Sequence, residues 1–221
     1  MRATDSGKPL TEGDTKKGGN VMSEQEHSFA NPGPAALGAL AVACFAFYAL
    51  LTGKVTHAAA PIMACWLVGG AICQLAAGVI ELKDHNISGG NVFLFFGSFF
   101  MTVTALSLVT KYGLHAAGLP FDATIEGWCW LVGFGFLVVL TPCYLKGPKL
   151  LFWGLVLVDI ALLLIALVDL NLTALPLPLM ANVAGWLLLV MGFIGIYLAG
   201  AIAVNTTFGR SILPTTTPYV K

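Results

Sequence analysis

The chain has 221 residues, of which 57% are hydrophobic and only 10% are charged, and its mean hydropathy is +0.86. A soluble domain carries about 25% charged residues, so this composition excludes an ordinary soluble fold and indicates an integral membrane protein. The formal net charge is zero at pH 7, which argues against nucleic acid as a partner.

The first 28 residues form a polar N-terminal segment. They mix acidic and basic residues with Gly, Ser and Thr, and they lack the apolar core of a secretory signal peptide. This composition predicts a disordered tail over residues 1–28. Within it, Met22 begins the stretch MSEQEHSFANPG and resembles a natural translation start.

A turn-forming stretch, FANPGPAALG at 29–38, stands directly before the first apolar run. Each Pro fixes its own φ and disfavours a helical conformation in the residue before it. The chain should therefore stay extended or turned until Pro34, which suits a first helical position. The stretch is either a linker that ends in a helix start, or an opening where Asn31 and free N–H groups face a ligand.

Six apolar segments follow, each with about the length needed to cross a hydrocarbon core. Their predicted spans are 34–52, 59–82, 91–110, 127–145, 150–168 and 179–204. Only LKGPK separates the fourth span from the fifth, and its Gly-Pro pair predicts a tight turn at the membrane surface. The sequence thus predicts an all-α integral membrane domain of six transmembrane helices over 29–208, followed by a tail over 209–221.

The basic residues predict the orientation of these helices. The side that holds the N-terminus carries Arg2, Lys8, Lys16, Lys17, Lys83, Lys146, Lys149, Arg210 and Lys221. The other side carries only Lys54 and Lys111. Because Lys and Arg accumulate on the cytoplasmic side of membrane proteins, both termini are expected in the cytoplasm of a multi-pass protein of the cell membrane.

Polar side chains inside a membrane are costly and therefore indicate functional positions. Gln74 lies inside the second span, and Glu81 follows seven residues later on the same helix face. Both are candidates for substrate binding, as are Asn31 and Asn91. The plainer interpretation is that Gln74 bonds a neighbouring helix and that Glu81 is an interfacial anchor beside Lys83.

Asp159 stands near the middle of the fifth span without a cationic partner in its own helix. Burial favours the neutral form of such a carboxyl group. Asp159 is therefore a candidate for proton coupling, as is Glu81. The alternative for Asp159 is a protonated carboxyl group that bonds a neighbouring backbone, and the sequence leaves both open.

The remaining chemistry-bearing residues give no sign of an enzyme, a metal site or a cofactor. The five cysteines all fall in apolar runs, and the four histidines show no metal-ligand spacing. A nucleophile–base motif, a phosphate loop and a haem ligand pair are likewise missing from the sequence. We therefore expect no catalytic residues, no metal and no cofactor.

Several motifs resemble the acetate uptake transporter family, the succinate–acetate permeases. NPGP before the first span is similar to that family's NPxP signature, and GGAICQLAAGVIELKDHN at 69–86 is similar to its second span. AGWLLLVMGFIGIYLAG at 184–200 and NTTFGRSILP at 205–214 resemble its last span and tail. The ordered motifs extend from the first span to the last, which makes the resemblance specific.

The resemblance implies a homo-hexamer in which each six-helix protomer has its own pathway for small carboxylates. Acetate is the chief substrate that it implies, succinate a second one in some members, and protons the coupled ion. Carried over by position, it also implies a narrow gate formed by Leu40, Phe96 and Val158. Many relatives have a Tyr at the second position, so this gate would be wholly apolar. Ile202 stands where relatives commonly carry an acid.

Together these features predict a membrane transporter or anion channel for small carboxylates, with acetate–proton symport. Asn31, Gln74 and Glu81 would line a cytoplasmic vestibule that the three gate residues close. The alternative is a passive channel for small neutral solutes such as urea or short amides. A sensor or scaffold without transport is opposed by the short loops, which leave no room for a partner-binding domain.

Overall fold

The structure is a computed structural model that describes residues 29–172 and 175–220, so the predicted tail over 1–28 lies outside the described residues. Six helices are long and apolar enough to cross a membrane. They are α1 (Gly33–Leu51), α2 (His57–Lys83), α3 (Ile87–Ala116), α4 (Thr124–Lys146), α5 (Lys149–Asp169) and α6 (Leu177–Phe208). The prediction of six apolar helices is confirmed.

The largest difference from the predicted spans is in α3, which begins at Ile87 rather than at 91 and ends at Ala116 rather than at 110. The start is earlier because Asn86 caps it, accepting a hydrogen bond from the Gly89 N–H. Hydropathy alone cannot place such ends, because a capped helix continues beyond its apolar stretch.

The helices pack as two consecutive groups, α1–α3 and α4–α6, which meet mainly where α1 packs against α6. Glycines on α6 make this contact close. A β-carbon at Gly195 would lie 3.1 Å from the Leu37 carbonyl oxygen, and one at Gly192 would lie 2.8 Å from the Phe45 ring. Small residues allow membrane helices to approach in this way, so these glycines serve packing.

The middle of α3 is a π-helix over Phe96–Val103. The Thr102 hydroxyl donates to the carbonyl oxygen of Gly97, five residues earlier, at 2.8 Å. Within this segment the rings of Phe96 and Phe100 stack with their centroids 4.2 Å apart. π-helical turns inside α-helices are frequent at functional sites, and this one contains Phe96, one of the three predicted gate residues.

The starts of α1, α3 and α5 and the ends of α2, α4 and α6 lie at one end of the bundle. Lys83, Lys146 and Lys149 belong to this end, which we call the lysine-rich end. At the opposite end the Glu126 carboxylate accepts from the Lys111 ammonium at 2.6 Å and from the Ser107 hydroxyl. Lys111 therefore ties α3 to α4.

The C-terminal strap, residues 209–220, folds back along the lysine-rich end instead of leaving the bundle. Its Thr216 hydroxyl oxygen accepts from the Leu150 N–H at 3.0 Å, at the start of α5. The Tyr219 N–H donates to the Leu145 carbonyl at 3.0 Å, near the end of α4. The strap thus holds the short turn between α4 and α5 from outside.

Candidate functional site

A cavity of about 180 Å³ opens between the helices at the lysine-rich end, and all six helices contribute to its wall. Its polar side chains are Asn31, Gln74, Glu81, Asn86 and Tyr144, and the rest of the lining is apolar or glycine. Among the described residues that line it, Glu81 is the one with an ionisable carboxyl group. The structure therefore brings three of the four predicted substrate-binding residues to one space.

The Glu81 carboxyl group lies between the starts of α1 and α3. The Asn86 amide donates to Glu81 Oε2 at 2.5 Å. A β-carbon at Gly33, the first residue of α1, would lie 3.8 Å from Glu81 Oε1, and one at Gly89 would lie 3.2 Å from Glu81 Oε2. Helix starts carry partial positive charge. Because two of them flank this carboxyl group, it lies in positive potential.

Asn31 lies at the mouth of the cavity, and its side chain forms a hydrogen bond with the backbone two residues later. Its side-chain oxygen accepts from the Gly33 N–H at 2.7 Å, and Pro34 has no N–H to offer. The expectation that the first free N–H of α1 faces a ligand is therefore wrong for Gly33. The physical reason is that an Asn side chain readily bonds the backbone two residues later. Because its oxygen is used in this bond, Asn31 can offer only its side-chain N–H groups to a ligand in the cavity.

Gln74 is 1% exposed and joins α2 to α1. Its amide nitrogen donates to the Ala36 carbonyl at 3.1 Å, as the plainer interpretation of this residue expects. Its amide oxygen is buried and has no partner in the described part of the chain. Gln74 thus fixes the packing of two helices while it forms part of the cavity wall.

The three predicted gate residues lie together in one buried apolar cluster. Leu40 and Phe96 form the inner end of the cavity, and they also border a second space of about 30 Å³ that Val158 lines. The walls of this second space are wholly apolar. Its volume is about that of one water molecule, so the interior beyond the cavity is nearly closed.

Asn91 is not part of this cavity. It is exposed on α3, and its amide donates to the Ile87 carbonyl one turn earlier, at 2.8 Å. The structure does not bring it near the other three candidates for substrate binding, because it points from a different face of α3.

Asp159 also lies outside the cavity lining, in a seam between α4 and α5 formed with Leu137 and Thr141. The Asp159 Oδ2 atom is 2.8 Å from the Thr141 hydroxyl oxygen, which is itself 3.0 Å from the Leu137 carbonyl. The other carboxyl oxygen is buried without a partner among the described residues. Asp159 and Glu81, the two proton-coupling candidates, are therefore in separate sites.

Two polar side chains of the cavity, Asn86 and Tyr144, were not predicted from the sequence. Asn86 had a usable signal, because Asn is a favoured residue directly before a helix start. Tyr144 had none: its hydroxyl donates to the Ser88 carbonyl at 3.3 Å, a contact between residues far apart in sequence. Among the described residues, no three His, Cys, Asp or Glu side chains are grouped to hold a metal ion.

Comparison with known proteins supports a family assignment for this fold and cavity. The sequence model of the GPR1/FUN34/yaaH family matches residues 12–217. The succinate-acetate/proton symporter SatP of Escherichia coli K12 is 32% identical over 154 residues, which cover 69% of this chain and 78% of that relative. The glyoxylate pathway regulator of Yarrowia lipolytica is 28% identical over 208 residues, covering 90% and 73%. The solved structure of the bacterial acetate channel SatP matches with a TM-score of 0.73 at 26% identity, covering 85% of this chain and 99% of that one.

Proposed function

The chain belongs to the GPR1/FUN34/yaaH family, and we propose that it moves acetate across the membrane together with protons, with succinate as a second substrate. It is a multi-pass integral membrane protein of a family of transporters and channels, not an enzyme. The name of the Escherichia coli relative, a succinate-acetate/proton symporter, and that of the solved relative, an acetate channel, support small carboxylates as the substrate class.

The observation that carries the proposal is the contrast between the two ends of the cavity. At its mouth, the amide N–H groups of Asn31 offer donors to a carboxylate, and the starts of α1 and α3 offer positive potential. At its inner end stand Leu40 and Phe96. The volume of about 180 Å³ suits a small acid with a few water molecules.

The apolar gate favours passage of the substrate as a neutral acid. A carboxylate that leaves water for a wholly apolar passage loses its hydration without compensation, which is strongly unfavourable. Acetic acid, or acetate that travels with a proton, avoids most of this loss. Leu40, Phe96 and Val158 would then act as the gate that rejects the free anion.

We assign the coupling proton to Glu81. Its carboxyl group lines the mouth of the cavity that the gate closes at the inner end, where a proton can be exchanged with an arriving or departing acid. A proton from acetic acid would pass to a Glu81 carboxylate oxygen, leaving acetate to exit through the mouth. The Asn86 amide and the two helix starts beside Glu81 would stabilise the negative charge on Glu81 before the transfer and on the acetate after it.

We assign Asp159 a structural role as a neutral carboxylic acid. A threonine hydroxyl has one proton, so Thr141 cannot donate to both Leu137 and an ionised Asp159. Both short contacts are hydrogen bonds together only when Asp159 is protonated and donates to Thr141. The unpartnered carboxyl oxygen also favours the neutral form, since a buried charge without partners is far more costly.

Labelled acetate uptake into proteoliposomes tests the proposed function, with protein-free liposomes subtracted to remove diffusion of the free acid. We expect uptake to rise as the external pH falls from about 8 to about 5, with competition by acetate and succinate and none by urea. Uptake that does not change with pH would contradict proton coupling. Urea flux without competition by acids would establish the passive channel for neutral solutes instead.

We also propose a homo-hexamer with both termini in the cytoplasm, as the family resemblance and the lysine distribution favour. Large apolar side chains such as Ile62, Ile72 and Val139 are exposed on the outside of the protomer, where lipid or neighbouring copies would cover them. Light scattering of the detergent-solubilised protein should give the mass of six chains, and a monomer mass would contradict the assembly.

A further inference from the structure

Asn86 makes more contacts than a helix cap needs. Its side-chain oxygen accepts from the Gly89 N–H at 3.2 Å and from the Ser88 hydroxyl at 3.3 Å. Its amide nitrogen donates to Glu81 Oε2 at 2.5 Å. These contacts use both ends of the amide group, so one residue joins the start of α3 to the carboxyl group at the cavity mouth.

The capping contacts determine which way the amide group points. Only the oxygen can accept from Gly89 and Ser88, so the nitrogen must face Glu81. A flipped amide would set its oxygen against the carboxylate and its N–H₂ against the Gly89 N–H. The hydrogen bonds at the start of α3 therefore fix the orientation of the Asn86 amide, with an N–H directed at the Glu81 carboxyl group.

We propose that Asn86 is a positioning residue for proton exchange: its fixed amide holds the Glu81 carboxylate at the cavity mouth and sets the pH at which Glu81 takes up a proton. This inference rests on the proposed role of Glu81 as the carrier of the coupling proton. A hydrogen bond donated to a carboxylate favours its ionised form, and bonds to charged groups are stronger than bonds between neutral groups.

Within the described part of the chain, the hydrogen bond found to this carboxyl group is the one that Asn86 donates. Among the described residues, the titratable groups that interact with Glu81 are Asp84, at the same helix end, and Tyr144 on α4. The parts of α1, α3, α5 and α6 that line the cavity contribute no titratable side chain. Gly89 keeps the contact open, since a β-carbon there would lie 2.6 Å from the Asn86 amide nitrogen.

Infrared titration of the full-length protein in liposomes tests the proposal. The band of the protonated Glu81 carboxyl group is identified by its loss in Glu81→Gln. Asn86→Ser is the main variant, because Ser caps a helix as well as Asn does but is too short to reach Glu81. Asn86→Asp is the second variant, since it retains a capping oxygen and has no N–H. Ser88→Ala is the matched control, which removes a neighbouring bond but keeps the donor.

In both Asn86 variants we expect the Glu81 band to move to higher frequency and to titrate at higher pH, by on the order of one pH unit. Ser88→Ala should match the wild type. The pH dependence of acetate uptake should shift in the same direction, and Asn86→Ser should cause no such shift in the Glu81→Gln background.

An unchanged band and titration in both Asn86 variants would overturn the proposal. So would an equal effect of Asn86→Ser on uptake with and without Glu81, because that would mean a structural role only. If the wild type takes up no acetate, the proposed function fails, while the infrared titration still decides the role of Asn86.

Discussion

Glu81 and Asp159 are both buried carboxyl groups on membrane-spanning helices, yet their sites differ in access. Glu81 lines a cavity of about 180 Å³ and receives a hydrogen bond from Asn86 beside two helix starts. Asp159 lies in the seam between α4 and α5, where Thr141 is its hydrogen-bond partner. Burial alone does not indicate proton coupling. A coupling group also needs a route for the proton and donors that stabilise the charged form.

Leu40 and Phe96 close the inner end of the Glu81 cavity, and the largest expected effect comes from opening this end. In Phe96→Ala the loss of a buried ring would let water and the free anion pass the gate. We expect the initial rate of labelled acetate uptake to rise on the order of tenfold, which corresponds to about 1.4 kcal/mol off the barrier. The dependence of uptake on pH should weaken in the same variant.

The matched control for Phe96→Ala is Phe99→Ala, since Phe99 is on the same helix but is 55% exposed on the outer surface. Uptake by this control should equal that of the wild type. A Phe96→Ala variant that transports at the wild-type rate, while remaining folded, would show that the rate is limited elsewhere.

The second prediction concerns the contribution of Asp159 to stability. Asp159→Ala removes the partner of Thr141 and leaves a void, which should lower the free energy of unfolding by about 2 kcal/mol. Asp159→Asn keeps an N–H donor directed at Thr141 and should lose less than half as much. Thermal unfolding in detergent measures both. Equal losses in the two variants would mean that Asp159 does not donate to Thr141.

The smallest expected effect is at the C-terminal strap, which contacts the turn between α4 and α5. Thr216→Val removes the acceptor that caps the start of α5 at Leu150. Loss of an exposed cap should lower the unfolding temperature by a few degrees. Thr217→Val, one residue further along the strap, is the control. Identical unfolding temperatures for the two variants would argue against capping by Thr216.

Composition and hydropathy were sufficient to predict the six helices, because length and apolar content are what a bilayer demands. They could not place the ends of α3, where Asn86 and the polar residues after 110 decide the outcome. The strap was predicted only as a tail. Its hydrogen bonds come from the Thr216 hydroxyl group and the Tyr219 backbone N–H, which leave no periodic signal in the sequence.

The candidate site was predicted in part. The seven-residue spacing of Gln74 and Glu81 placed both on one face of α2, and the structure finds both in the cavity wall. The spacing could not show that Gln74 uses its N–H on Ala36. The partner of Asp159 was also out of reach, since Thr141 is on another helix and no local pattern links the two positions.

Equilibrium exchange of labelled acetate, at the same pH on both sides of the membrane, tests the assignment of the coupling proton most directly. The rate is divided by the concentration of undissociated acetic acid, which removes the titration of the substrate itself. We predict that this normalised rate changes at the same pH in the wild type and in Asp159→Asn, and that it does not change with pH in Glu81→Gln. A change that persists in Glu81→Gln, or that disappears in Asp159→Asn, would contradict this assignment.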